Sequence, residues 1–178
     1  MLRACFPILL LFASILTPPY AQDPTEYQVK ANFLLNFSKF IDWPADAFPT
    51  PDAPVVVGIL GIDPFGKYID DIVSKEEIAN RSIVVRRYNN LQDVFDCQIL
   101  YINQPWKTEE VVSVLKGKSI LTVSDEPGFA KAGGNIQFYN DSSVVKLEIN
   151  GVAAKESKLN ISSKLLRIAR IAETDTAK

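Results

Sequence analysis

The sequence predicts an α/β fold: a three-layer sandwich in which a mainly parallel sheet carries helices on both faces and ends in a C-terminal antiparallel hairpin. Short apolar runs rich in β-branched residues alternate with helical segments, and this order is typical of a parallel sheet. Two later runs alternate apolar and polar residues on either side of the turn sequence NDSS, which indicates a hairpin. A chain of 178 residues is long enough for one domain with a sizeable core.

The N-terminal residues have the pattern of a secretory signal peptide. Arg3 supplies the positive charge, the apolar stretch after it is too short to span a bilayer comfortably, and Ala21 offers a cleavage site. A single membrane anchor is the alternative. We therefore expect residues 1–21 to be removed, residues 22–172 to form one domain and residues 173–178 to be a polar tail.

The remaining elements are predicted in chain order from periodicity and from helix-ending residues. The first is a helix over residues 25–43, which buries a wide apolar stripe and ends before Pro44. Parallel strands are expected at VVVGIL, SIVVRRY, CQILYI and SILTVSD. Helices are expected over residues 63–74 and 104–118, and NNLQDVFD gives at most a short helical piece.

The C-terminal third changes pattern. PGFAKAGG is expected to form a small helical turn, and NIQFY and VVKLEI form the two strands of the hairpin. The glycine pair in this segment, Gly133 and Gly134, indicates either a sharp turn into the strand or the close approach of a ligand. ISSKLLRIARI is predicted to close the domain as a helix that buries four residues: Ile161, Leu165, Ile168 and Ile171.

Composition argues against several classes of function. The net charge of −2 disfavours a nucleic-acid partner, which requires a basic surface. The absence of histidine removes the commonest general base and the usual zinc ligand. Asp125 and Glu126 follow the fourth strand without a visible partner, and Cys97 is expected to pack in the core. We therefore predict no catalytic residue, no metal ligand and no cofactor.

The stretch GIDPFGKY nearly matches a phosphate-binding loop. Gly61, Gly66 and Lys67 fit G-x-x-x-x-G-K, but Pro64 removes one N–H group and Tyr68 replaces the Ser or Thr that would bind Mg²⁺. We interpret the stretch as a helix start, with Asp63 as N-cap and Pro64 as the first helical residue. A small anion bound at this helix N-terminus remains an alternative.

The ordered segments resemble a known family. YQVKANFLLNFSKFIDWP, VVVGILGIDPFG, CQILYI, LTVSDEPGFAKAGGNIQFY, VVKLEIN and ISSKLLRIAR together are similar to the YfiR-type periplasmic regulators, and the resemblance covers about residues 26–171. It implies a binding protein, located in the periplasm of a Gram-negative bacterium, that represses a membrane-bound diguanylate cyclase by contacting its periplasmic domain. It also implies a homodimer, control of biofilm formation through cyclic di-GMP, and possible sequestration by an outer-membrane lipoprotein.

A protein that inhibits by contact needs an exposed surface, and aromatic residues and arginine are enriched in such surfaces. An alternative function is a small-molecule sensor or carrier with an anion-binding pocket at the carboxyl edge of the sheet. The candidate partner- or ligand-binding residues for the two hypotheses are Phe65, Arg87, Phe129, Glu148, Lys164 and Arg167.

Overall fold

The structure is a computed structural model that describes residues 24–78 and 80–173. The predicted signal peptide lies outside the described residues, as does the tail after Glu173. The helices are α1 (Pro24–Phe37), α2 (Lys67–Val73), α3 (Thr108–Leu115), α4 (Gly151–Glu156) and α5 (Ser163–Leu166). The strands are β1 (Ile41–Asp42), β2 (Val55–Leu60), β3 (Glu77–Ile78), β4 (Arg81–Tyr88), β5 (Ile99–Ile102), β6 (Leu121–Ser124), β7 (Ile136–Asp141), β8 (Val144–Ile149), β9 (Asn160–Ile161) and β10 (Arg170–Ile171).

A mostly parallel sheet organises the domain and confirms the predicted fold class. Its eight strands lie in the order β10-β8-β7-β6-β5-β2-β4-β3. The five strands β4, β2, β5, β6 and β7 run parallel, and β8 folds back against β7 as the predicted antiparallel hairpin. Strand β10 adds in parallel to β8, while β1 and β9 form a separate two-stranded ribbon.

Two hydrophobic cores lie on the two faces of the sheet. On one face, α1 and α2 bury residues such as Leu34 and Ile69 against the odd-numbered residues of β2 and β5. On the other face, α3 buries Val111 and Leu115 against even-numbered residues of the same strands. The apolar runs of the central strands therefore arise because both faces are covered.

Several predicted helix boundaries are wrong. Helix α1 ends at Phe37, and α3 begins at Thr108, after Pro105 and Trp106. The sequence around the last predicted helix instead forms α5, four residues long, followed by the edge strand β10. Asn150 caps the unpredicted α4 by accepting a hydrogen bond from the Ala153 N–H.

The closing segment does not bury its apolar residues as predicted. Leu165 is in the core and Ile161 is half-buried, but Ile168 is 65% exposed and Ile171 is 54% exposed. The physical reason is that the chain leaves the helix to pair with β8, where the N–H of Ala172 donates to the carbonyl of Ile149 at 2.8 Å.

Candidate functional site

The sheet has a topological switch point between β2 and β5, where α/β proteins often bind ligands. In this protein, the two loops that leave these strands close against each other. The N–H of Ile62 donates to the Gln104 carbonyl at 2.9 Å, and the Asn103 side-chain amide donates to the Ile62 carbonyl at 2.9 Å. Gly61, with φ of +91°, permits this contact, because an added Cβ would lie 2.4 Å from the Gln104 oxygen. The switch point is filled by the protein's own backbone.

In the loop before α2, a side-chain carboxylate of the loop binds the backbone N–H groups. Asp63 Oδ1 accepts hydrogen bonds from the N–H groups of Phe65 at 2.7 Å and Gly66 at 3.2 Å. The helix begins only at Lys67, with Gly66 at the N-cap position, so the prediction that Asp63 is the N-cap is wrong. Because a carboxylate already binds these N–H groups, the structural basis for a bound anion at this helix start is removed.

Arg87 is committed to internal ion pairs. Its Nε lies 2.8 Å from Asp63 Oδ2, and its two terminal nitrogens lie 3.0 Å and 2.7 Å from the Asp70 carboxylate. The hydrogen bond to Arg87 lowers the pKa of Asp70, and the pKa of Arg87 is raised in return. This guanidinium therefore joins β4 to α2 and to the loop before it.

The two candidate aromatic residues lie inside the protein. The Phe65 ring packs edge-on against Tyr101 at a centroid distance of 4.7 Å, and Phe65 is buried. Phe129 is also buried, and its ring covers Gly134 so closely that a Cβ there would lie 2.1 Å from Cε1. The close approach that Gly134 permits is therefore to a phenylalanine ring, and neither aromatic side chain offers a contact surface in this conformation.

Glu148, Lys164 and Arg167 lie toward the β10 edge of the sheet. Glu148 is buried and accepts a hydrogen bond from the Arg170 guanidinium at 2.7 Å, and this bond raises the pKa of Arg170. Arg170 also stacks over the Tyr139 ring at 4.4 Å. Lys164, Arg167, Ile168 and Ile171 are exposed in the same segment, and we call these four residues the α5–β10 face, whereas Arg170 points to the other side of the sheet from Ile171, towards Glu148.

The structure separates Arg87 from this face. Four strands lie between β4 and β8, which corresponds to roughly 24 Å across the sheet. Arg87 and Glu148 also point to opposite sides of the sheet. Arg87 lies in the same row of paired strand residues as Ile149, and Glu148, which precedes Ile149, points the other way. That row is Arg87, Ile59, Tyr101, Val123, Ile136 and Ile149. The six predicted residues therefore do not form one site.

A buried ionic cluster lies at the carboxyl end of β6. Lys30, whose side chain is 4% exposed, places its ammonium 2.6 Å from Asp125 and 2.5 Å from Glu26. The Tyr27 hydroxyl donates to the same Asp125 oxygen at 2.9 Å. Burial alone would raise the pKa of Asp125, but Lys30 and Tyr27 outweigh burial, so this pKa lies below its usual value. Burial and the Asp125 charge both raise the pKa of Tyr27.

Sequence reasoning missed this cluster because its members are far apart in the chain. Lys30 and Asp125 are separated by 95 residues, and Asp125 was expected to have no partner. The available signal was a lysine beside Tyr27, Ala31 and Leu34 in the apolar stripe of α1. A charged residue at a stripe position predicts a buried partner, but it does not identify that partner.

Within residues 24–78 and 80–173, no group of three or more His, Cys, Asp or Glu side chains could hold a metal ion. Cys97 is buried as predicted, and burial raises the pKa of its thiol to about 12, which keeps it protonated and unreactive at neutral pH. Across the same residues, the helices are all too short or too polar to cross a membrane.

These observations define an α/β domain whose switch point is closed and whose distinctive charged groups lie in internal ion pairs and on an exposed edge. The sequence profile of the YfiR/HmsC-like family matches residues 27–170, and the chain belongs to that family. This confirms the resemblance found in the sequence. The family is one of periplasmic regulators of cyclic di-GMP signalling rather than a known enzyme family. No curated protein matches the chain.

Proposed function

We propose that the protein represses a membrane-bound diguanylate cyclase by binding the periplasmic domain of that enzyme. The observation that carries the proposal is the family match, which extends over residues 27–170 and so over nearly the whole described domain. In this proposal the protein is exported, acts as a homodimer and can be sequestered by an outer-membrane lipoprotein. Repression lowers cyclic di-GMP and biofilm formation.

The α5–β10 face is the surface that we assign to this contact. Lys164 and Arg167 are exposed, and neither has an ion pair with another residue of the described ranges. Ile168 and Ile171 are exposed in the same short segment, so basic and apolar residues alternate along it. Such a mixture suits a partner surface that offers carboxylates around an apolar centre.

The Glu148–Arg170 ion pair supports this assignment because it holds the face in place. Strand β10 has only two residues, and its pairing with β8 is short. The buried Glu148 carboxylate and the Tyr139 ring hold Arg170 from two directions, which fixes the neighbouring Ile171 on the sheet edge. A fixed surface loses less conformational entropy on binding than a mobile one.

The test is genetic complementation in the source bacterium. Deleting the gene should raise cellular cyclic di-GMP and surface attachment, and the wild-type gene should reverse both. The double variant Lys164→Glu/Arg167→Glu should be exported and folded but should fail to complement. The matched control, Lys107→Glu/Lys116→Glu, makes the same charge change at exposed residues that flank α3 and should complement fully.

Two outcomes would contradict the proposal. Unchanged cyclic di-GMP in the deletion strain would exclude this cyclase as the target. Full complementation by Lys164→Glu/Arg167→Glu would exclude the α5–β10 face as the contact surface while leaving repression itself intact. A pull-down from solubilised membranes with the wild-type protein and the double variant would identify the partner directly.

Small-molecule sensing is a second candidate function, and one observation favours it. An open acidic groove lies beside α1, away from the closed switch point. The groove is lined by acidic residues, whereas the pocket predicted from the sequence would bind an anion. The class of ligand that suits the groove is therefore a different one.

A further inference from the structure

A groove with a volume of about 1090 Å³ runs between α1 and the β7–β8 hairpin. This volume lies slightly above the usual range of about 300–1,000 Å³ for small-molecule sites. The apolar part of its lining comes from both sides, with Val29 and Phe33 on α1 and Val144 and Val145 on the hairpin. Val29 and Val144 are exposed, although such side chains normally gain stability from burial. The groove therefore has an apolar wall on each side that nothing within the described residues covers.

The inner end of the groove carries a net negative charge. The charged residues that line it are Glu26, Lys30 and Asp125, so two carboxylates share one ammonium. Asn140 donates a hydrogen bond to Glu26 Oε2 at 2.9 Å but brings no charge. Because the pKa of Asp125 lies below its usual value, this carboxylate stays ionised at neutral pH. One negative charge in the groove is left without a compensating cation.

A buried hydroxyl lies next to the cluster. Tyr101 is fully buried, and its hydroxyl makes no close, well-aligned hydrogen bond within the described residues. Burial raises the pKa of Tyr101 first, and electrostatic and hydrogen-bond interactions with Asp125 and Tyr27 raise it further, so this hydroxyl lies beside the cluster. The hydroxyl therefore adds a polar group beside the cluster but no positive charge.

We propose that this groove binds an organic cation: a primary ammonium group attached to an apolar body. The ammonium lies at the inner end against Glu26 and Asp125, where it supplies the missing positive charge. The apolar body lies between Val29 and Phe33 on one side and Val144 and Val145 on the other. Ligands with a carboxylate are excluded, since their charge would lie next to two carboxylates.

This site is separate from the α5–β10 face, so it does not depend on the repression that we propose. Helix α1 and the hairpin tip line the groove, whereas the face lies on the segment from Lys164 to Ile171. Failure of either proposal leaves the other standing, because the two experiments use different residues and different measurements.

Three ligands that share one phenyl body but differ in their terminal group test the proposal. Phenethylamine is a cation, 2-phenylethanol is neutral and phenylacetate is an anion at pH 7. Calorimetric titration of the purified protein should show phenethylamine binding about tenfold more tightly than the alcohol, a ratio expected for a partly desolvated ammonium beside carboxylates and aromatic rings. Phenylacetate should show no saturable binding. Equal affinities for all three ligands, or tightest binding of phenylacetate, would overturn the proposal.

A pair of matched variants locates the site. Val29→Arg puts a positive charge on the wall of the groove at a helical residue that is 39% exposed, and Val114→Arg makes the same change on α3 at 44% exposure. Val29→Arg should weaken phenethylamine binding about tenfold by like-charge repulsion, while Val114→Arg should leave it unchanged. Equal loss in the two variants, or no loss in Val29→Arg, would contradict binding in this groove.

A third variant addresses the carboxylate itself. Glu26→Gln removes one negative charge at a side chain that is 25% exposed and keeps Asp125 as the partner of Lys30, so the fold is preserved. Phenethylamine should bind this variant several-fold more weakly, and the preference for the amine over the alcohol should shrink. A preference that stays the same as in the wild-type protein would show that the charge of the groove does not select its ligand.

Discussion

Replacing Lys30 with methionine measures how much the buried ionic cluster contributes to stability. The substitution keeps a similar apolar side chain but removes the ammonium, which leaves Asp125 and Glu26 without their shared counter-ion. Breaking a fully buried pair costs about 3–5 kcal/mol. Asp125 is 22% exposed and Glu26 is 25% exposed, so water offsets part of this cost. We expect the free energy of unfolding to fall by about 2–3 kcal/mol at pH 7.

The effect of Lys30→Met should depend on pH with a defined sign. In the wild-type protein the pKa of Asp125 is depressed, so its contribution to stability is present above the unfolded value of about 3.9 and is lost as the pH falls through the folded value. In the variant, burial acts on Asp125 without the lysine and raises its pKa. That carboxylate then destabilises the variant as the pH rises through the raised value. The stability difference should therefore narrow as the pH approaches 4.

Urea unfolding followed by tryptophan fluorescence measures both effects, at pH 7 and at several values down to pH 4. The control is Lys39→Met, because Lys39 is 44% exposed and its ion pair with Glu76 has a longer distance of 3.4 Å. This control should lose less than about 0.5 kcal/mol. The reasoning is refuted if Lys30→Met unfolds at the wild-type urea midpoint at pH 7, or if the stability difference is the same at every pH.

Three further predictions concern packing, the sheet edge and the single thiol of the domain. Gly134→Ala should destabilise the protein by about 1–3 kcal/mol, because its Cβ would overlap the Phe129 ring, and thermal unfolding should show the loss. Glu148→Gln should weaken the hold on Arg170, so the amide of Ala172 should exchange with deuterium faster while amides of β2 do not. Cys97 should react with a thiol reagent only in denaturant, since its pKa of about 12 and its burial keep it protonated and inaccessible; rapid reaction of the native protein would contradict this.

The central sheet could be predicted from the sequence because each parallel strand is covered on both faces. Continuous apolar runs such as Val55–Leu60 result from that burial, and the turn residues between β7 and β8 identify the hairpin locally. The last segment was predicted wrongly because its isoleucines and leucine recur at helical spacing. Pairing of β10 with β8 decides the outcome there, and this long-range contact leaves no local periodicity.

The candidate residues were less predictable than the fold. Phe65 and Phe129 follow strands and were expected on the surface, but each packs into a core that only the folded sheet creates. Arg87 was chosen for its place at a strand end, and its carboxylate partners come from the adjacent loop and α2. Lys164 and Arg167 were located on an exposed segment from their sequence alone, and their role in binding stays a prediction.

The position of β10 after all the other strands of the sheet has a consequence for biosynthesis. Every strand of the sheet except this one precedes residue 150, whereas the edge at β8 is completed only by Arg170 and Ile171. A chain that emerges N-terminus first can therefore assemble most of its sheet before its last edge exists. Proteolysis or premature termination just before Arg170 would leave the edge of β8 unpaired and would remove Ile171 from the α5–β10 face.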